Sequence, residues 1–138
     1  MKNIEYKIYE GYDAEKIIKL YDSVGWVNYT ANPEMLRNAY ENSLYILGAY
    51  DNDELIGIIR VVGDGYSIIY IQDIIVRPDY QKMGIGSKLL KEILSAYSHV
   101  YQRMLLTERD EKTMKFYESV GFKADYDLDC VGFCQFNV

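Results

Sequence analysis

Cysteine, proline and histidine are all scarce in this chain: two, two and one in 138 residues. Cys130 and Cys134 stand four apart in a segment that reads as extended. That spacing separates them by roughly 13 Å at about 3.3 Å per residue, too far for a disulfide. Two packed thiols are expected. His99 is remote in sequence from both, so a Cys/His zinc site has no basis and no metal is expected. The two prolines, Pro33 and Pro78, each fall beside an apparent element boundary, and no linker, low-complexity tract or repeat is visible. One domain over residues 1–138 is the expectation. Long apolar runs are missing too, because the greasiest stretch, Ile68–Val76, is broken by Gln72 and Asp73. This argues against a membrane partner. The first residues alternate apolar and polar, as a strand does and a secretory leader does not, so a cytoplasmic location is expected. Basic residues are the minority, 15 Lys and Arg against 21 Asp and Glu, for a net charge of -6. A nucleic-acid partner is disfavoured by that balance, and a cationic substrate would suit it.

The sequence does hold strong periodicities. Ile4, Tyr6 and Ile8 alternate as in a half-buried strand, and Ile17, Ile18 and Tyr21 recur at helical spacing behind an N-cap at Asp13. Periodicity lapses around Trp26 and Tyr29. Asn32 and Pro33 then form an N-cap and first-position pair for a second helix through Leu36 and Tyr40. Strands are expected at 44–50, 55–62 and 68–76, joined by turns at 51–54 and 63–65 into an antiparallel meander. From Gly86, the stripe Leu89, Leu90, Ile93, Leu94 and Tyr97 marks a long amphipathic helix. A short strand at 104–107, a helix at 111–120 ended by Gly121, and returning strands from Phe122 complete the pattern. The fold class is therefore α+β in three α/β/α layers, with a mixed, mostly antiparallel sheet flanked by helices.

Between strand 68–76 and the long helix runs Asp79-Tyr80-Gln81-Lys82-Met83-Gly84-Ile85-Gly86. Free N–H groups at a helix N-terminus and the positive end of its dipole favour a pyrophosphate, and glycine lets the backbone approach it closely. Lys82 would add charge. A dinucleotide fingerprint would need a third small residue where Leu89 stands, and a P-loop would need Gly-Lys-Ser/Thr where the chain reads Gly86-Ser87-Lys88. Both lose support.

The loop, with Gln81, Gly84 and Gly86, resembles the Gln/Arg-x-x-Gly-x-Gly/Ala cofactor motif of the GNAT acetyltransferases. It departs from many members in having Lys82 where they have glycine. Phe116-Tyr117-Glu118-Ser119-Val120-Gly121-Phe122 is similar to the family's second block, Phe-Tyr-x-x-x-Gly-Phe. The resemblance implies an N-acetyltransferase that uses acetyl-CoA as cosubstrate and a small-molecule or peptide amine as acceptor. It implies a sheet splayed at the acetyl-CoA site, where Ile74, Ile75 and Val76 offer backbone to the pantetheine arm. Gln81, Lys82, Met83, Gly84, Ile85, Gly86 and Ser87 would then hold the pyrophosphate, with Asp110 near the sulfur end.

In the family a tyrosine protonates the departing thiolate, and Tyr117 occupies that position. Asp73 is the best candidate for a base. It is expected to share a strand face with Ile71 and Ile75, where a carboxylate is either paired for structure or raised in pKa for proton transfer. Glu108 is another reachable acid. The loop between the first helices chooses the substrate in the family, so Trp26 and Tyr29 are candidates to line an amine pocket. An acyl-CoA-binding module without catalysis is the competing reading, and a homodimer paired through residues 130–136 is a further expectation.

Overall fold

The computed structural model describes residues 3–137. The chain divides after Leu106 into two compact units. The first holds β1 (Ile4–Ile8), α1 (Ala14–Ser23), α2 (Val27–Thr30), α3 (Pro33–Glu41), β2 (Tyr45–Asp51), β3 (Glu54–Gly63), β4 (Ile68–Val76), a 3-10 turn (Pro78–Tyr80), α4 (Ile85–Ala96) and β5 (Gln102–Leu105). The caps are as the sequence predicts. The Asp13 carboxylate accepts from Lys16 N at 3.2 Å, and Asn32 Oδ1 accepts from Met35 N at 3.4 Å with Pro33 following. The one-turn helix α2 is an addition, placed where sequence periodicity lapses.

The strands run in the order β1-β2-β3-β4-β5. The first four are antiparallel neighbours, and β5 pairs with β4 in parallel after the α4 crossover. On one face, Ile17, Leu20 and Tyr21 of α1 and Leu36 and Tyr40 of α3 pack on Ile46, Leu55, Ile58 and Ile75. The other face belongs to α4: a methyl built on Gly57, next to Ile58 and so pointing the opposite way, would come 3.6 Å from Ile85. Ile85, Leu89, Leu90 and Ile93 of α4 are all buried. Burying each such side chain contributes about 1.5–3 kcal/mol, so the stripe seen in the sequence is what clamps α4 to the sheet.

β4 carries an irregularity that alternation could not show. Asp73 lies opposite Arg60 and Ile71 opposite Val61, so Gln72 is an extra residue, a β-bulge. Partners across an antiparallel pair share a face. Asp73 and Ile75 therefore point to the α1/α3 side with Arg60 and Ile58, while Ile71 points to the α4 side with Val61. The expectation that Asp73 shares a face with both Ile71 and Ile75 is thus half wrong, because one inserted residue reverses the period of two.

The second unit contains α5 (Glu111–Ser119) and a 3-10 turn (Asp125–Leu128). Among the described residues, the returning strands expected from Phe122 are absent. Asp125 replaces them with local bonds: its carbonyl accepts from Cys130 N at 3.2 Å and its Oδ2 from Gly132 N at 2.9 Å. Cys130 and Cys134 are both exposed, which corrects the expectation of packed thiols. Among the described residues no helix is long and apolar enough to cross a membrane.

Candidate functional site

Among the described residues, only the first part of β4 has a strand partner on its outer side. The β4–β5 ladder ends at Ile71 opposite Leu105, and Gln72 to Val76 run on paired to β3 alone. Arg77 N donates to Ile56 O at 2.8 Å. By alternation, Ile75 and Asp73 also bond toward β3, leaving the backbone groups of Ile74 and Val76 directed to the open side. Of these, the Val76 carbonyl is already taken, accepting from Gln81 Nε2 at 2.9 Å. Gln81 therefore pins its own loop to the strand end. This is an open strand edge of the kind to which an extended ligand can add.

The loop beyond leads into α4, whose N-cap is Gly84 at φ 80° with no side chain capping the first turn. The first-turn N–H groups have no intrahelical acceptor, and a Cβ on Gly84 would meet nothing within 4 Å. An anion thus has both donors and room. Lys82 sits at φ 65°, a left-handed conformation that suits glycine. The family's usual glycine at this position has a backbone reason, which this chain overrides with a strained lysine. Arg77 anchors the loop, donating to Asp79 Oδ1 at 2.8 Å and to Glu54, and lying 4.9 Å over the Tyr80 ring. Its hydrogen bond to Asp79 heads the causes that raise its pKa, which keeps it charged.

Behind the bulge lies a buried polar network. Asp73 Oδ2 accepts from Arg60 Nε at 2.8 Å and from Tyr21 Oη at 2.7 Å, and the Tyr21 and Tyr40 hydroxyls are 2.8 Å apart. Arg60 donates also to Ser43 Oγ at 3.2 Å. Burial, then the neighbouring tyrosine and the Asp73 charge, pushes the Tyr21 hydroxyl far above its ordinary range, and burial does the same to Tyr40. Burial works against the Arg60 charge, but the Asp73 carboxylate outweighs it and raises the pKa. Asp73 Oδ1 is buried with no hydrogen-bond partner among the described residues. Arg60, Tyr21 and Tyr40 were not singled out from the sequence. A lone arginine inside the apolar run Leu55 to Val62 was the available signal.

Trp26 and Tyr29, the expected amine-pocket residues, sit together at 6.0 Å between ring centroids and pack edge-on to Tyr21 at 6.0 and 5.2 Å. The Tyr29 hydroxyl accepts from Gln72 Nε2 at 3.0 Å, which ties α2 to the bulge. Burial and then the Asp73 charge raise the pKa of Tyr29.

In the second unit, the Phe-Tyr-x-x-x-Gly-Phe block is a helix terminus. Gly121, at φ 101°, donates to Glu118 O at 3.1 Å, and Phe122 N donates to Tyr117 O at 3.1 Å. These are the paired bonds of a Schellman cap. Its apolar contact is Tyr117 against Phe122, with Phe116 on the other side, at 6.0 and 5.1 Å. Tyr117 is buried, and that burial raises its pKa, keeping the hydroxyl protonated. Asp110 is the N-cap residue of α5, where its Oδ2 accepts from Thr113 Oγ1 at 2.9 Å. Glu108 is exposed, and its carbonyl accepts from Asp110 N at 2.8 Å.

A cleft of about 530 Å³ lies elsewhere in the first unit, at Lys16, Lys19, Asp53, Glu54 and Arg77. Its three cations face four carboxylates, Asp13 and Glu15 being the other two, so it offers no excess positive charge to an anion.

The acetyltransferase (GNAT) domain model matches residues 42–124, more than half of the chain. An uncharacterized N-acetyltransferase of Gracilaria tenuistipitata var. liui is 29% identical over 113 residues, 79% of this chain and 61% of the relative; the chain thus spans about three-fifths of that protein. A GNAT family acetyltransferase of known structure from Streptococcus pneumoniae TIGR4 is 43% identical, with a TM-score of 0.88 over 98% of each chain. The PaiA N-acetyltransferase of Thermoplasma acidophilum, solved with coenzyme A, shares the fold at 21% identity and a TM-score of 0.69, over 89% of this chain and 92% of that one. With its five-stranded mixed sheet, its open β4 edge and its glycine loop before α4, this chain belongs to the GNAT family of acetyltransferases.

Proposed function

We propose that this protein transfers the acetyl group of acetyl-CoA to a primary amine of a small molecule or peptide, by direct attack of the amine on the thioester. The observation that carries the reading is the pairing of an open β4 edge with an uncapped helix N-terminus a few residues on. Backbone groups of Ile74 and Val76, on the strand that includes Ile75, would accept the pantetheine arm as an added strand. The turn from Gln81 to Ser87, through Met83 and Ile85, would hold the pyrophosphate by backbone N–H groups, with Lys82 adding charge. Trp26 and Tyr29 would line the amine's approach.

When bound, acetyl-CoA would supply an activated carbonyl whose C–S bond breaks as the C–N bond to the amine forms, and the proton that the amine nitrogen loses would pass to water. Tyr117, at the family's tyrosine position, gives its proton to the departing sulfur. Asp110 is assigned to the sulfur end on the same motif grounds. Asp73 is best read as a positioning residue: with one oxygen bound to Arg60 and Tyr21 and the other buried, it holds the bulge and is poorly placed to take a proton from an amine.

An acetyl-CoA consumption screen over an amine panel, read by thiol release, tests the reading. Release that depends on an amine is expected. Acetyl-CoA binding without amine-dependent release would favour the competing reading, an acyl-CoA-binding module. Gly86→Val tests the loop. A Cβ there would make ordinary contact with Val76 at 3.7 Å, so the fold should survive while acetyl-CoA affinity is lost. Undiminished affinity by calorimetry would move the cofactor elsewhere.

A further inference from the structure

Lys82 adopts a backbone conformation that something must hold in place. At φ 65° it lies in the left-handed region, which is unfavourable for a residue with a Cβ and persists only where the surrounding structure fixes it. The fixed points stand on either side of it. Downstream, Ile85 is buried, within 3.6 Å of where a methyl on Gly57 of β3 would lie. Upstream stands Tyr80, only 5% exposed although it ends a short 3-10 turn.

Tyr80 is held from three directions. Its hydroxyl donates to Asp51 Oδ2 at the end of β2, its N–H donates to Arg77 O at 2.8 Å, and the Arg77 guanidinium lies 4.9 Å over its ring. Arg77 donates in turn to Glu54, the first residue of β3. Asp51 and Glu54 are register partners across a two-residue turn in which Asn52 sits at φ 55°, a conformation asparagine tolerates. The β2–β3 turn therefore grips the entry of the glycine loop twice, through Tyr80 and through Arg77.

We propose that Tyr80 and Asp51 are positioning residues for the cofactor. Their hydrogen bond latches the loop to the β2–β3 turn and keeps Lys82 left-handed, so the loop and the first turn of α4 are already arranged before a ligand arrives. On the acetyl-CoA reading given above, that arrangement raises affinity by sparing the ligand the work of ordering the loop.

Tyr80→Phe deletes the hydroxyl and keeps the ring beneath Arg77. The first test needs no ligand. Trypsin cuts after lysine, and the Lys82–Met83 bond is offered to it when the loop opens. Nicking at that bond, located by mass, should be about tenfold faster in Tyr80→Phe and in Asp51→Ala, and no faster again when the two are combined. Calorimetry with acetyl-CoA is the second test: Kd should rise about tenfold in either variant. Asparagine accepts a left-handed backbone, so within a Lys82→Asn background Tyr80→Phe should raise Kd by no more than about twofold. A merely structural role for Tyr80 would not be relieved in this way. Nicking at the unmodified rate in Tyr80→Phe would overturn the latch, as would an undiminished rise in Kd in the Lys82→Asn background. An unmodified protein that binds no acetyl-CoA would overturn the acetyl-CoA reading and the cofactor role with it, while the nicking rates would still decide whether the latch exists.

Discussion

Asp73 illustrates how much a single side chain's meaning depends on its partners. Its carboxylate faces Arg60, which is 4% exposed, and removing the charge while keeping the shape leaves that guanidinium buried without a counter-ion. Asp73→Asn should therefore cost about 3 kcal/mol of stability, the scale of breaking a buried pair. Urea unfolding with an unchanged m-value would measure it. A fully stable variant whose pH–rate profile has lost its basic limb would instead make Asp73 the base. Tyr117 poses the opposite case. Tyr117→Phe keeps the ring contacts with Phe116 and Phe122 and deletes only the hydroxyl. General acid catalysis contributes about 10²- to 10⁴-fold, and a CoA thiolate leaves tolerably well by itself, so a loss on the order of 10- to 100-fold in kcat is expected. KM for acetyl-CoA should hardly move. Wild-type turnover under conditions where chemistry limits would remove Tyr117 from the mechanism.

At the scale of elements, the decisive feature is the Gln72 bulge. Past it, Asp73 lies on the α1/α3 face, and Ile74 and Val76 turn their backbone to the open edge. Deleting Gln72 would remove the bulge while leaving Asp73 opposite Arg60 and Ile71 opposite Val61, so it would take away the local twist and the bond to Tyr29 but no face assignment. We expect that deletion to be destabilising by about 1–3 kcal/mol, more than Gln72→Ala, because the strand twist that the bulge supplies is lost along with the side chain. Gln72→Ala keeps the register and loses only the bond to Tyr29, so it should stay folded. Thermal melts of the two variants separate backbone register from side-chain chemistry. Equal stability would show that the bulge is dispensable.

The whole molecule carries 15 tyrosines, and the buried ones give it a pH limit. Burial raises the pKa of Tyr21, Tyr40 and Tyr117 above the ordinary value of 10.0. The unfolded chain releases these protons from about pH 10, while the folded chain retains them. Above that pH the unfolded state binds fewer protons, so unfolding becomes easier as pH rises. The contribution is fully present below about pH 10 and declines above it. Melting temperature against pH should show the fall beginning near 10, with tyrosinate absorbance rising together with unfolding. Tyrosinate that appears in full before any loss of structure would contradict the assignment.

Local patterns in the sequence carried most of the fold. Caps at Asp13 and Asn32, the meander, the α4 stripe and the glycine loop depend on residues near one another in the chain, where backbone sterics and helix or strand period decide. The two family blocks were legible for the same reason: one is a loop-to-helix entry and the other a Schellman terminus, both local geometries. Long-range pairing was not legible. That Arg60 finds Asp73 and Tyr21, that β5 stops at Leu105 and leaves β4 open, and that Gln72 is a bulge all follow from which strand lies beside which. The C-terminal run marks the boundary between the two. Its residues alternate as a strand would, yet a strand exists only where an edge is available to receive it, and a single chain's sequence does not state where that edge is.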